Sequence, residues 1–396
     1  MGRDLTIETV TPAELSADEL ALWTRFVRAD ARFASPYFHP EFTRVAGEVA
    51  PGAAVSILHE RGEVVGFFPH QRRGGAAQPI GAPLNDYHGV ITAPGLDIPL
   101  ERAPELIGAA SLTVNGWTGP GETGEGVDVR RTLQADLSGG WAAYDAERRA
   151  LWPKYFKDKD RARRSLERDL GPSIARIDGR DPARLDRLIA LKSDQYRRSL
   201  RHDIFACGWT ADLLRALLTV EHPDFGARLA VLEAGGEAVA YEYGVYAGGH
   251  YHFWLPAYEA RAARYSPGIQ LSLETMRQGA AAGFRMFDYG FEGEPYKKYF
   301  CNRDQTVLEG VSHRPGLAGA VTAAFTIAGA GAALAAGERL AGGGLGLSVR
   351  RRWAAIDACE TTLAGRARGI AAAAAAALNK SRAPTAASAL AAMLIL

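Results

Sequence analysis

YSPGIQLSLETMRQGAAAGFRMFDYGFEGEPYKKYF, residues 265–300, reads as a helix, a strand and a tight return. Ser266 followed by Pro267 is a preferred helix start. The serine oxygen can cap unpaired N–H groups, and proline's missing N–H costs nothing at the first helical position. The helix runs to about Gly283, and residues 285–290 follow at once as a strand. Working upstream, residues 228–234, 237–247 and 250–256 are three strand-like runs. They are separated by Gly235-Gly236 and Gly248-Gly249, dipeptides that suit two-residue hairpin turns. Before them come a strand at 173–177 and helices at 182–199 and 210–220. The order is strand, two helices, three-strand meander, helix, strand.

The N-terminal part offers a weaker version of the same order. Residues 5–10 read as a strand, and a helix from Ser16 carries Leu20, Leu22, Trp23, Phe26 and Val27 on one stripe. Residues 53–59 and 63–69 form an antiparallel hairpin through Glu60, Arg61 and Gly62. A loop-rich stretch, GAPLNDYHGVIT (81–92), precedes a helix around 101–112 and strand-like segments near 127–137. Residues 141–170 are charged and helix-prone, and they stop at Gly171-Pro172. The expected organisation is α+β, with mixed sheets flanked by helices: an N-terminal domain (1–140), a helical bridge (141–171), a C-terminal domain (172–313) and an alanine- and glycine-rich helical tail (314–396).

A chain of 396 residues exceeds what one hydrophobic core usually supports, which fits two packed domains or one domain duplicated. A net charge of +1 gives no electrostatic case for nucleic acid. The first thirty residues lack the basic start and apolar core of a secretory signal, so a cytoplasmic protein is expected. Cys207, Cys301 and Cys359 are odd in number and far apart, without CxxC spacing, so neither a disulfide framework nor a metal site is expected. Residues 316–337 carry no charge and have the length of a bilayer span. Their large apolar residues are few and glycine weakens the helix, so a soluble or loosely packed tail is the first reading and peripheral contact with the inner membrane the second. Arg350, Arg351 and Arg352 could favour anionic lipid or form a solvated face.

Three motifs in the 265–300 segment carry a resemblance: Ser266-Pro267-Gly268, Phe287-Asp288-Tyr289-Gly290 and Glu294-Pro295-Tyr296-Lys297. Together they resemble the C-terminal signature of the CelD/BcsL-type acetyltransferases of bacterial polysaccharide biosynthesis. SPYFHPEF (35–42), NDYHG (85–89), WPKYFKDKDRARRSLERDLG (152–171), ALKSDQYRRS (190–199) and residues 231–268 extend the similarity over residues 5–313, leaving out the tail. The resemblance implies tandem GNAT-like (acyl-CoA N-acyltransferase) domains, a fold shared with the FemAB peptidoglycan aminoacyltransferases. It also implies transfer of an acyl group, acetyl first, from acyl-CoA to an amine or hydroxyl of a sugar-containing acceptor in polysaccharide or cell-envelope biosynthesis.

Beside it stands the chemistry of the residues. A helix N-terminus offers unpaired N–H groups and a positive dipole end to a pyrophosphate. Ser266, Gly268 and Ile269, with Arg261 and Arg264 nearby, supply that geometry. The usual GNAT pattern, Q/R-x-x-G-x-G/A, is met here by one glycine only, and Pro267 removes a donor. Asp288 could accept the acceptor's proton or orient its amine; alternatively it pairs with Lys297 or caps the following turn. Lys297 could hold a phosphate or stabilise a developing oxyanion, or belong to the surface. Tyr296 is a candidate general acid for the leaving thiolate, or a core tyrosine. His250 and His252 share one face of the third meander strand with Trp254, while Glu242 lies on the adjacent strand. His252 would suit a base near neutral pH, or be structural. Asp86, Tyr87 and His88 sit in a loop where polar residues serve binding, and the resemblance points them at the acceptor. The cysteines lack a His-Asp partnership, which argues against a thiol nucleophile.

Two other functions fit the same residues. One replaces acyl-CoA with aminoacyl-tRNA, for which the near-neutral charge gives no support. The other is a non-catalytic scaffold whose tail docks on a polysaccharide synthase.

Overall fold

The computed structural model describes residues 4–124, 126–199, 201–316, 351, 354–362, 364–370 and 372. They fall into two compact units, one made of the described residues within 1–130, 195–213 and 307–395, the other of those within 131–194 and 214–306.

The chain opens with β1 (Leu5–Val10), α1 (Ala17–Ala29) and α2 (Pro40–Val49). Ser16 and Glu19 form a reciprocal capping box that starts α1. The helix buries Trp23 and Phe26, and Trp23 stacks on Phe67 with ring centroids 4.9 Å apart. Each such fully buried aromatic removes enough apolar surface from water to stabilise by about 1.5–3 kcal/mol. There follow β2 (Ala53–Glu60), β3 (Glu63–Arg73), β4 (Ala76–Pro79), β5 (Ile91–Thr92), α3 (Ala103–Leu106) and β6 (Ser111–Trp117). The helix expected around 101–112 is thus a single turn. Leu112 and Val114 belong instead to a strand buried in the sheet core, and that tertiary burial overrides local helix propensity.

Next come β7 (Val127–Asp136), α4 (Trp141–Leu151), α5 (Pro153–Leu170), β8 (Ser173–Gly179), α6 (Pro182–Arg198) and α7 (Trp209–Leu218). The expected bridge is two helices, because Pro153 lacks the N–H that would continue α4 and so begins α5. It belongs to the second unit, as Tyr144, Phe156 and Leu166 are buried in that unit's cores. The meander β9 (Phe225–Ala234), β10 (Glu237–Ala247) and β11 (His250–Tyr258) turns at Gly235-Gly236, both at positive φ, as the sequence predicts. The chain then runs through α8 (Pro267–Ala281), β12 (Met286–Phe291), α9 (Lys297–Phe300) and β13 (Arg303–His313).

The same topology occurs twice. In the first unit the strand order is β1-β2-β3-β4-β6, antiparallel until β4 meets β6 in parallel, and β13 closes the sheet antiparallel to β6. In the second it is β8-β9-β10-β11-β12, antiparallel until β11 meets β12 in parallel, and β7 closes it. In each sheet the final strand comes from outside the repeat's own order, which is why the units are not the contiguous blocks 1–140 and 172–313. The fold is α+β, a tandem GNAT-like pair of mixed sheets flanked by helices.

The stretch 316–337 lies almost wholly outside the described residues, and no described helix is long and apolar enough to cross a membrane. The tail is not all appendage. Residues 354–359 are helical and belong to the first unit, with Ile356, Ala358 and Cys359 buried. Arg73 donates to the carbonyls of Asp357 (2.8 Å) and Glu360 (3.1 Å) at that helix's C-terminal end, and Trp209 Nε1 donates to Cys359 O at 3.1 Å.

Candidate active site

In the second unit β11 and β12 pair in register only at His250–Met286, Tyr251–Phe287 and His252–Asp288, beyond which the ladder ends. A parallel pair that parts in mid-strand leaves backbone groups and a gap inside a sheet, so His252 and Asp288 stand at its mouth. Strand alternation sorts the neighbouring side chains by face. Tyr251, Phe253, Phe287 and Tyr289 pack together on one face, Phe253 and Tyr289 with centroids 4.5 Å apart. His250, His252 and Asp288 take the other.

Asp288 has no exposed surface. Its Oδ2 accepts from Gln134 Nε2 at 2.8 Å, and its Oδ1 accepts from the Gly290 N–H at 2.6 Å, where Gly290 supplies a left-handed turn (φ 65°). His250 Nε2 and His252 Nδ1 each lie 3.5 Å from a different carboxylate oxygen. Burial alone works to raise this carboxyl, but the two imidazoles outweigh it and hold the group well below the usual carboxylate range. A carboxylate held against two imidazoles orients them, the arrangement that makes histidine a positioned base. The imidazoles address one carboxylate and not a common point, and among the described residues no group of side chains is arranged to hold a metal ion.

Several expected site residues lie elsewhere. Glu242 is on the opposite face of the sheet from His252, where its Oε2 accepts from Ser272 Oγ of α8 at 2.6 Å. Burial pushes its carboxyl up to about 7. Trp254 does share the histidine face, with its ring 5.8 Å from Tyr243, next to a bulge in the β10–β11 pairing. Lys297 does not bond Asp288. Its ammonium reaches back to Phe291 O (2.5 Å) and Glu294 (2.6 Å), closing the return turn that follows β12. Tyr296 joins Tyr289 and Phe300 in the aromatic core, and burial raises its phenol far above the range of a useful acid. Burial likewise pushes the Cys301 thiol up to about 12, so it is no nucleophile.

Tyr87 and His88 are interior residues of the first unit, not acceptor-facing ones. The Asn85 side chain accepts from the Tyr87 N–H at 2.9 Å and turns the chain inward. His88 then bridges to Trp117, its N–H to Gly116 O (2.9 Å) and its carbonyl to the Thr118 N–H (2.8 Å). This segment pairs with β6 beyond its short parallel ladder with β4 at Ala76–Ala77. The gap that β11 and β12 leave in the second unit is filled here by the chain itself. Burial pushes the imidazoles of His70 and His88 down to about 4 and 3, so both are neutral core residues. Asp86, beside them, is partly exposed.

At the start of α8, Ser266 is left-handed (φ 52°, ψ 50°) and makes no side-chain cap, contrary to the expected serine cap. Its hydroxyl instead accepts from Lys159 of α5 at 3.0 Å. Arg264 is turned away, over the Tyr265 ring and 3.4 Å from Asp169, and Arg261 pairs with Glu237 at 2.7 Å. The cation at this helix start is therefore Lys159, from a helix more than a hundred residues upstream, which no local motif signals. Lys159 makes no ion pair among the described residues. Gly268 leaves space beside its Cα, where a methyl group would meet only the Tyr258 ring at 3.9 Å, while Ile269 packs on the aromatic core. Ser266, Gly268, Ile269 and Lys159 thus fit the pyrophosphate of an acyl-CoA. From Lys159 a cavity of about 440 Å³ runs along α8, past Gln270, Leu273, Glu274 and Gln278.

The second unit thus holds a sheet opened between parallel strands, a helix N-terminus with a cation, and an Asp–His pair at the opening. Residues 153–298 match the family model described as an acetyltransferase (GNAT) domain. This stretch, most of it in the second unit, is a GNAT acetyltransferase domain, for which acyl-CoA is the implied co-substrate. No curated protein matches the sequence significantly. Among solved structures, the C-terminal domain of a putative lysylphosphatidylglycerol synthetase from Agrobacterium fabrum is similar at 14% identity and TM-score 0.47, over 78% of this chain and 96% of that one. FemX is similar at 9% identity and TM-score 0.45, over 77% and 96%. A tandem GNAT protein from the clavulanic acid biosynthesis pathway is similar at 10% identity and TM-score 0.43, over 79% and 100%.

Proposed function

We propose that this enzyme moves an acyl group, acetyl first, from acyl-CoA to an amine or hydroxyl of a sugar-containing acceptor in polysaccharide or cell-envelope biosynthesis. The observation that carries the reading is the buried Asp288 carboxylate held against His250 and His252 where β11 and β12 part. A hydroxyl or ammonium acceptor must lose a proton as it attacks, and an imidazole oriented by a fixed carboxylate is suited to take it.

Acyl-CoA supplies the activated thioester. The protein's own groups do the rest. Asp288, fixed by Gln134 and the Gly290 N–H, orients the imidazoles, and His252 takes the acceptor's proton. Ser266, Gly268, Ile269 and Lys159 hold the pyrophosphate, and the aromatic face of Phe253 and Tyr289 excludes water beside the opening.

The test is coenzyme A release from acetyl-CoA and longer acyl-CoAs in the presence of amino sugars and neutral saccharides, read together with thermal protection by the acyl-CoA. Acceptor-dependent release supports the reading. Absence of both release and protection sinks it.

A further inference from the structure

Two cysteines that are far apart in the chain meet in the first unit. Cys207 lies in the turn before α7, and Cys359 ends the helical segment 354–359. Both sulfurs reach the same backbone oxygen: Cys207 Sγ is 3.3 Å and Cys359 Sγ 3.8 Å from Ile204 O. Around them the packing is fixed, with Trp209 Nε1 on Cys359 O and Thr210 Oγ1 3.4 Å from Cys207 Sγ. Cys359 is fully buried while Cys207 keeps some exposure. From this geometry we propose that Cys207 and Cys359 form a reversible disulfide that locks the 354–360 segment onto the first unit in response to peroxide.

The two thiols are unlike in the way such chemistry needs. The hydrogen bond from Cys359 is the main cause lowering the Cys207 thiol to about 7, while the same bond, with burial, raises Cys359 well above the ordinary value. Cys207 is therefore the attacking thiolate. It displaces hydroxide from hydrogen peroxide to give a sulfenic acid, the hydroxide taking up the thiol's proton as water. The Cys359 sulfur then attacks the sulfenic sulfur, forming the S–S bond and releasing a second water. In sum two thiols and one peroxide give one disulfide and two waters, the thiols being oxidised and the peroxide reduced. Cys301, its thiol raised by burial, takes no part.

The experiment treats the full-length reduced chain with hydrogen peroxide and titrates thiols after denaturation. The proposal requires the titre to fall from three per chain to one, a non-reducing peptide map that joins Cys207 to Cys359 within one chain, and a melting temperature that rises on oxidation and returns with dithiothreitol. In Cys207→Ser no thiol should be lost, and in Cys359→Ala a sulfenic acid should persist at Cys207 and react with dimedone. A titre that stays at three, a linkage through Cys301, or a bridge between two chains overturns it. Should Cys359→Ala fail to fold, the wild-type map and Cys207→Ser decide alone.

Discussion

His252 and Asp288 form the last rung of the parallel ladder between β11 and β12, and His252 Nδ1 lies 3.5 Å from Asp288 Oδ1 at the point where the strands part. The pair thus belongs both to the sheet's hydrogen-bonded frame and to the opening in it.

Asp288→Asn keeps the shape and removes the charge that orients the imidazoles. Turnover should fall about 10²-fold or more, the usual scale of lost general-base work. The new amide also faces the Gln134 donor, so some stability is lost as well. Measuring turnover per folded molecule together with the melting temperature separates the two effects. Full activity in the folded variant would remove Asp288 from the mechanism.

The two lysines should behave differently. Lys159→Met removes the cation from the start of α8, so acyl-CoA should lose most of its thermal protection and KM for the donor should rise several-fold. Lys297→Met instead opens the turn closed by Phe291 O and Glu294. The melting temperature should drop while turnover per folded molecule stays close to wild type. The reverse pattern would place the donor at Lys297.

Glu242 makes stability depend on pH with a definite sign. Burial raises its folded value from 4.5 to about 7. Below 4.5 it is protonated in both folded and unfolded chains, and its contribution is fully present. Between 4.5 and about 7 only the unfolded chain gives up its proton, so stability falls as pH rises, and the loss is complete above about 7. Chemical denaturation of wild type and Glu242→Gln across this range should show the decline flattened in the variant. Parallel curves would mean that Glu242 is ionised in the folded protein.

Ending the chain after His313 should destabilise the first unit. It uncovers Trp209, strips Arg73 of its carbonyl acceptors and removes the buried Ile356 and Cys359. Uncovering a large aromatic and leaving a half-buried guanidinium without partners are both costly. The truncated protein should melt several degrees lower or aggregate. A truncated chain as stable as the full one would mean that this segment contributes no stability.

Sequence alone determined many of the local elements, above all those of the second unit, and their order. Ser16 with Glu19, the glycine pairs of the meander and Pro267 act through neighbours a few residues away, so hairpins and helix starts are legible in a single chain. The residues of the opening were legible as types, since His250, His252 and Asp288 sit in a recognisable strand pattern. Their meeting was not. Gln134 reaches Asp288, and Lys159 reaches Ser266, across more than a hundred residues, and the histidines meet Asp288 only because β11 and β12 lie side by side in register. Tertiary structure also decided which candidates were interior. Alternation puts Glu242 on the face opposite His252, and the inward turn at Asn85 buries His88. Local signals arise from short-range sterics and hydrogen bonds, whereas a site is built from long-range strand pairing and burial, and these exist only once the sheet has formed.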